Sequence, residues 1–119
     1  DYFSSAKLSR EQNRAKNKET LMEIINNKEI ASKDKKKAVA EVAEITKTAE
    51  QENAAELMLE AKGFTEAVVS ISDGTADVVV NVSELTEKEM AQIEDIIKRK
   101  TDVSAENIVI TPVKVKQKK

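Results

Sequence analysis

Apolar positions are spread unevenly along the first part of the chain. From Ser9 to Thr20 the only apolar residue is Ala15, and then Leu21, Met22, Ile24, Ile25 and Ile30 follow closely. This spacing predicts a helix over residues 4–31 whose first half has no continuous face to bury. That half is expected to project into solvent or lie against another molecule, with the second half docked on its own domain. Ser32 is placed to cap a second helix, and Asp34 stands favourably in its first turn. The second helix carries Val39, Val42, Ala43, Ile45, Ala49, Ala54, Leu57, Met58 and Ala61 and stops at Gly63. With Gly63 at C′, Phe64 becomes C″ and meets Leu59 at C3, the contact that accompanies a Schellman cap.

Beyond Phe64 the period changes from helical to two. Ala67–Ser72 and Ala76–Val82 flank Asp73 and Gly74, a pair that predicts a two-residue type I′ hairpin. Pairing across that turn sets Ile71 opposite Ala76, Val69 opposite Val78 and Ala67 opposite Val80, all on one face with Val82 beside them. The other face holds Ser72 with Thr75, Ser70 with Asp77, Val68 with Val79, and Glu66 with Asn81. A slip of one residue would mix the two sets, so the pattern fixes the register. Thr86 and Glu89 have capping-box spacing for a third helix over residues 87–100, with Met90, Ile93, Ile96 and Ile97 at core spacing. A third strand over 107–113 turns Ile108 and Ile110 inward and Val109 and Thr111 outward. Pro112 supplies no N–H, which places this strand at an edge or puts Pro112 at its end.

The elements define an α+β fold. A two-layer αββαβ domain occupies residues 32–113, preceded by a charged, partly projecting helix (1–31) and followed by a basic tail (114–119) expected to be disordered. A helix between strands two and three makes those two parallel. Strand one then fits between them, for an expected spatial order 2-1-3 with strand 76–82 at an edge.

Composition narrows the chemistry. The chain has 119 residues, of which 39% are hydrophobic, 3% aromatic and 35% charged, enough for one domain with a thin core. It contains neither His nor Cys, which removes His general-base catalysis, Ser-His and Cys-His nucleophile pairs, thiolate metal sites and disulfides. No cofactor is expected, and an interaction module is the class that remains. No run approaches the roughly 18 apolar residues of a membrane span. The chain begins at Asp1 and is read as an excised or processed piece, with any anchor upstream. Charge is segregated: residues 1–37 carry net +4, residues 38–112 net −10 and residues 113–119 net +4. Such a layout can orient neighbours head to tail or steer a charged partner, though charge runs are usually solvated surface. The acidic middle, with no aromatics among the lysines, disfavours nucleic acid.

Glu52, Glu56 and Glu60 recur every four residues and repel one another, which points either to a cation or basic partner or, more simply, to a solvated acidic face. Asp73 and Asp77 bracket Gly74 without the spacing of a calcium loop, so no metal is expected there. The element order also resembles a KH domain, but the GXXG loop is absent because the only glycines are Gly63 and Gly74. What remains is surface. Val68, Val79 and Val109 lie on the sheet face expected to be open, beside Asp77 and Asn81, and strand 76–82 offers a ladder for strand addition. The competing partner face is the basic side of the first helix, with Arg10, Arg14 and Lys18. A different class of function, a solute-binding or enzyme-accessory domain, would use the Glu-rich second helix.

Longer stretches carry a resemblance. AEQENAAELMLEAKGFTEAVVSISDG (49–74), ADVVVNVSELTEKEMAQIEDIIKRKT (76–101) and ENIVITPVKV (106–115) are similar to the extracytoplasmic part of the stage III sporulation protein AH family of spore formers. The charged leader DYFSSAKLSREQNRAKNKE resembles the stalk beyond that family's membrane anchor. The likeness covers essentially the whole chain and rests on extended similarity rather than a short motif. It implies an anchor in the mother-cell membrane and a domain in the space around the engulfed forespore. It further implies binding to stage II sporulation protein Q, and a ring-building fold similar to basal-body ring proteins of type III secretion. Copies would then assemble into a channel linking the two cells.

Overall fold

The structure, a computed structural model, describes residues 1–115. Helix α1 (Tyr2–Ile25) is capped by Asp1, whose carboxylate accepts a hydrogen bond from the Ser4 N–H at 2.9 Å. Residues 26–31 turn the chain back into α2 (Ser32–Ala61). Ala31, not Ser32, occupies the N-cap: its carbonyl already accepts from the Asp34 and Lys35 N–H groups, so Ser32 is the first helical residue and its hydroxyl makes no cap.

The end of α2 is the expected Schellman motif. The Phe64 N–H donates to the Leu59 carbonyl at 3.0 Å and the Gly63 N–H to Glu60 at 3.1 Å, with Gly63 at φ +103°. Leu59 and Phe64 both enter the core. Strands β1 (Ala67–Ser72) and β2 (Thr75–Val80) pair antiparallel in the expected register, from Ala67 with Val80 to Ser72 with Thr75. Asp73 and Gly74 both have positive φ, as a type I′ turn requires. Helix α3 (Glu87–Lys100) starts at the complete Thr86–Glu89 capping box. Glu87 and Glu89 stand in its first turn and Lys98, Arg99 and Lys100 in its last, both favourable to the helix dipole. A 3₁₀ turn (Ala105–Asn107) leads into β3 (Ile108–Pro112).

Strand order departs from expectation. β3 pairs parallel with β2 on the side away from β1, with Val78 opposite Ile110, so the order is β1-β2-β3 and β2 is central. Strand 76–82 is therefore not an edge. The physical reason lies at β1, whose outer side is occupied by side chains of α1 and α2, leaving β3 only the free flank of β2.

One face of the sheet packs against α2 and α3. The core joins Ala55, Leu59, Phe64, Val69, Val78, Val80, Ile93, Ile96 and Ile97 with Ala67, Ala76 and Val103, and no residue of α1 belongs to it. The buried stripe of α2 runs through Glu52, Ala55, Glu56 and Leu59, at i, i+3, i+4 and i+7. Met90, read at core spacing, is exposed instead, as are Val39 and Leu57 among the apolar residues of α2. The projecting first half of α1 is also corrected: Phe3 is 1% exposed, Arg10 and Arg14 are largely covered, and the later residues Leu21, Ile24 and Ile25 are half-buried. At the other end, the Val113 N–H donates to Val80 and the Val115 N–H to Asn81 Oδ1. The rest of the basic tail, 116–119, lies outside the described residues.

Candidate interaction site

Helices α1 and α2 each carry one charged stripe, and the two meet along an antiparallel seam. Lys7, Arg10 and Arg14 on α1 face Glu60, Glu56 and Glu52 on α2. Lys7 Nζ stands 3.9 Å from both Glu56 Oε1 and Glu60 Oε1. Arg10 Nη1 lies 2.9 Å from Glu56 Oε2 and 3.6 Å from Glu52 Oε1. Arg14 holds Glu52 with both terminal nitrogens, Nη2 at 2.6 Å from Oε2. That hydrogen bond raises the Arg14 pKa above its ordinary value, against the opposing effect of burial. Glu52 is fully buried and Glu56 is 5% exposed.

The same groups close the outer edge of β1. Glu56 Oε2 accepts from the Val69 N–H at 2.8 Å, Glu52 Oε2 from the Ile71 N–H at 2.7 Å, and Arg10 Nη1 donates to the Val69 carbonyl at 2.7 Å. Side chains thus stand where a neighbouring strand would place its backbone groups. The acidic triplet is therefore not a solvated face: two of its three members are buried, and the basic partner they take is α1 of the same chain. Lys7, Glu52 and Glu56 were missed as a unit because each helix was read alone. The signal was present in two complementary stripes on helices joined by a short connection.

The opposite edge is closed by different means. The bond from Val113 N–H to the Val80 carbonyl fixes the phase of β3, so the backbone groups of Ile108, Ile110 and Pro112 point away from β2. Pro112 has no N–H, and the Ile108 N–H already donates to Ala105. Of those three outward positions, only Ile110 keeps a donor for another strand. The expected strand addition at 76–82 fails outright, since β2 is paired on both sides.

The sheet face away from the helices remains. Val109 is 50% exposed, and Asp77 and Thr111 are exposed beside it. Val79 is half-buried, whereas Val68 and Asn81 are buried, Asn81 by way of its bond to Val115. Of the alternative basic face, Arg10 and Arg14 are taken up by the seam, and Lys18 is half-buried further along it. A groove of about 780 Å³ runs between Asn13 and Asn17 of α1, Glu44 and Thr48 of α2, and Ser70–Ser72. An exposed clamp ties α2 to the loop after α3: Lys47 Nζ and Gln51 Nε2 lie 3.2 and 3.1 Å from Asp102 Oδ2. The Gln51 bond, then Lys47, hold the Asp102 carboxyl below the usual carboxylate range. Among the described residues no group of His, Cys, Asp and Glu is arranged to hold a metal, and no helix is long and apolar enough to cross a membrane.

Comparison with known proteins gives this surface a context. A chain of the SpoIIQ-SpoIIIAH pore forming complex superposes with a TM-score of 0.80 at 21% identity, covering 95% of this chain and 99% of that one. The type III secretion system protein EscJ of enteropathogenic E. coli superposes with a TM-score of 0.55 at 20% identity, over 64% of this chain and 52% of EscJ. No curated protein matches the sequence significantly. The two solved structures establish a shared fold and bear out the α+β architecture and the expected likeness to a secretion-system protein. A model of the SpoIIIAH-like protein family matches residues 1–110. Its role is structural and interactive rather than enzymatic. The chain belongs to the SpoIIIAH-like protein family.

Proposed function

We propose that this domain binds the extracytoplasmic domain of stage II sporulation protein Q, and that its copies build a ring-like channel between mother cell and forespore. The observation that carries the reading is the correspondence, over nearly all of both chains, with a chain of the SpoIIQ-SpoIIIAH pore forming complex. The likeness to EscJ supports the secretion-like assembly. The domain then lies in the intermembrane space around the forespore, held to the mother-cell membrane by an anchor outside this chain. Residues 32–113 form the ring-building unit, with residues 1–31 leading to the anchor and 114–119 as a basic tail. Contacts between copies need only be weak, because anchoring raises their effective concentration.

The contact with the partner is assigned to the open sheet face, centred on Val109 with Asp77 and Val79, above Val68 and Asn81. Val109 is half-exposed and apolar among polar neighbours, as an interface anchor is. The Arg10, Arg14 and Lys18 face is the second choice, because two of its three cations are already paired. The solute-binding alternative loses its main support, since Glu52 and Glu56 are satisfied within the chain. Titration calorimetry with the partner's extracytoplasmic domain tests the assignment. Val109→Glu is expected to lower affinity at least tenfold while circular dichroism and melting temperature stay unchanged. Unchanged affinity would move the contact off the sheet face.

A further inference from the structure

One wall of the groove beside β1 is α1, where Asn13 and Asn17 stand one turn apart. The other is α2, where Glu41, Glu44 and Thr48 follow at i, i+3 and i+7, and Ser70–Ser72 close the end. Both asparagines and both glutamates are exposed. Unlike Glu52 and Glu56, Glu41 and Glu44 take no ion pair among the described residues. Arg10, which also lines the groove, has its Nε buried without a hydrogen-bond partner among the described residues. At about 780 Å³ the groove has the size of a ligand cleft. Carboxamides donate and accept as a peptide backbone does, and free carboxylates suit lysine or arginine side chains. This chemistry fits an extended, basic segment of chain.

We propose that this groove receives residues 116–119 of a neighbouring copy, with Lys116, Lys118 and Lys119 meeting Glu41 and Glu44. The segment Lys-Gln-Lys-Lys carries positive charge only, the complement of that wall. Reach decides that it comes from another copy. Val115 is tied to Asn81, next to Val80, at the end of the sheet where Val80 pairs with Ala67. The groove touches the other end of β1, at Ser72, about 17 Å along the strand. Glu56 bonds at Val69 and Glu52 at Ile71, so α2 carries Glu44 and Glu41 farther still beyond that end. Residues 116–119 span about 14 Å at most, short of the groove on their own copy. In addition, β3, which leads into the tail, and β1, beside the groove, are opposite edges of the sheet. A contact between tail and groove is therefore head to tail, which propagates around a ring instead of closing a two-fold dimer. It rests on the ring reading above and gives that ring a direction.

The chain has no cysteine, so Gln117→Cys gives a single site for a nitroxide spin label and leaves every lysine in place. This copy is mixed, at a few hundred micromolar, with an unaltered chain whose nitrogen is isotope-labelled for magnetic resonance. Line broadening in the isotope-labelled chain then reports only contacts between copies. It is expected at the Asn13 and Asn17 side-chain amides and at the Ser70–Ser72 N–H groups. It should be lost when the isotope-labelled chain carries Glu41→Lys and Glu44→Lys, with circular dichroism confirming the fold. Should that variant fail to fold, Glu41→Gln/Glu44→Gln takes its place, with broadening expected to fall at least threefold. Broadening that is absent, centred elsewhere, or unchanged by the substitutions overturns the proposal. The mixture needs neither a ring nor stage II sporulation protein Q, so such a result leaves the ring reading to its own test.

Discussion

Replacing Arg10 by Ala is expected to cost about 3–5 kcal/mol of stability, the range for breaking one side of a buried ion pair. Arg10 bridges Glu56 and Glu52 and also donates to the Val69 carbonyl, so its loss leaves two buried carboxylates with less charge compensation and one edge carbonyl without its donor. In a chain of this size that corresponds to a fall in melting temperature of roughly 10–20 °C. Removing the charges on both sides is expected to be milder. With Arg10 and Arg14 replaced by Met and Glu52 and Glu56 by Gln, no charge is left stranded and the amide oxygens can still accept from the Val69 and Ile71 N–H groups, so most of the loss is expected to be recovered. Urea unfolding of the two variants separates these cases. Equal losses in both would mean that packing volume rather than charge pairing governs the seam.

Phe3→Ala is expected to be comparably severe, at about 3–5 kcal/mol, the range for truncating a buried aromatic side chain. Phe3 is 1% exposed and is among the largest fully buried side chains, yet it stands outside the main core cluster. Phe3 stands one turn before Lys7, which meets Glu60 at that end of the seam, so its burial anchors the start of α1. Phe3→Leu should recover most of the loss, since it refills most of the volume. A shift of only a few degrees for Phe3→Ala would show that the start of α1 is held by its charges alone. Deleting residues 1–14 would remove Phe3, Arg10 and Arg14 together and is expected to cost more than either substitution alone.

These two residues mark the limit of what the sequence made legible. The Gly63 cap, the Asp73-Gly74 hairpin, its register and the Thr86–Glu89 box are local signals, each contained within a few residues, and each appears as read. Strand order is not local. It depends on what fills the outer side of β1, and that is decided by Arg10 meeting Val69 and Glu56 across 59 and 46 positions. The stripe Glu52, Ala55, Glu56, Leu59 has ideal core spacing, but two of its members are acidic and were therefore set on the surface. On the open face, alternation placed Val68, Val79 and Val109 together, and burial then separated them: Val109 faces solvent, whereas Val68 is covered. Ser32 missed the cap by one residue because helix ends depend on which carbonyl accepts first, a difference that residue preference does not resolve.

That this chain is a partner-binding domain is tested most directly by the mass of its mixture with the extracytoplasmic domain of stage II sporulation protein Q from the same organism. Size-exclusion chromatography with light scattering at micromolar concentration is expected to give a single species at the summed mass of one copy of each, or a multiple of it. Two peaks, each at the mass of its separate component across the same concentrations, would contradict the account.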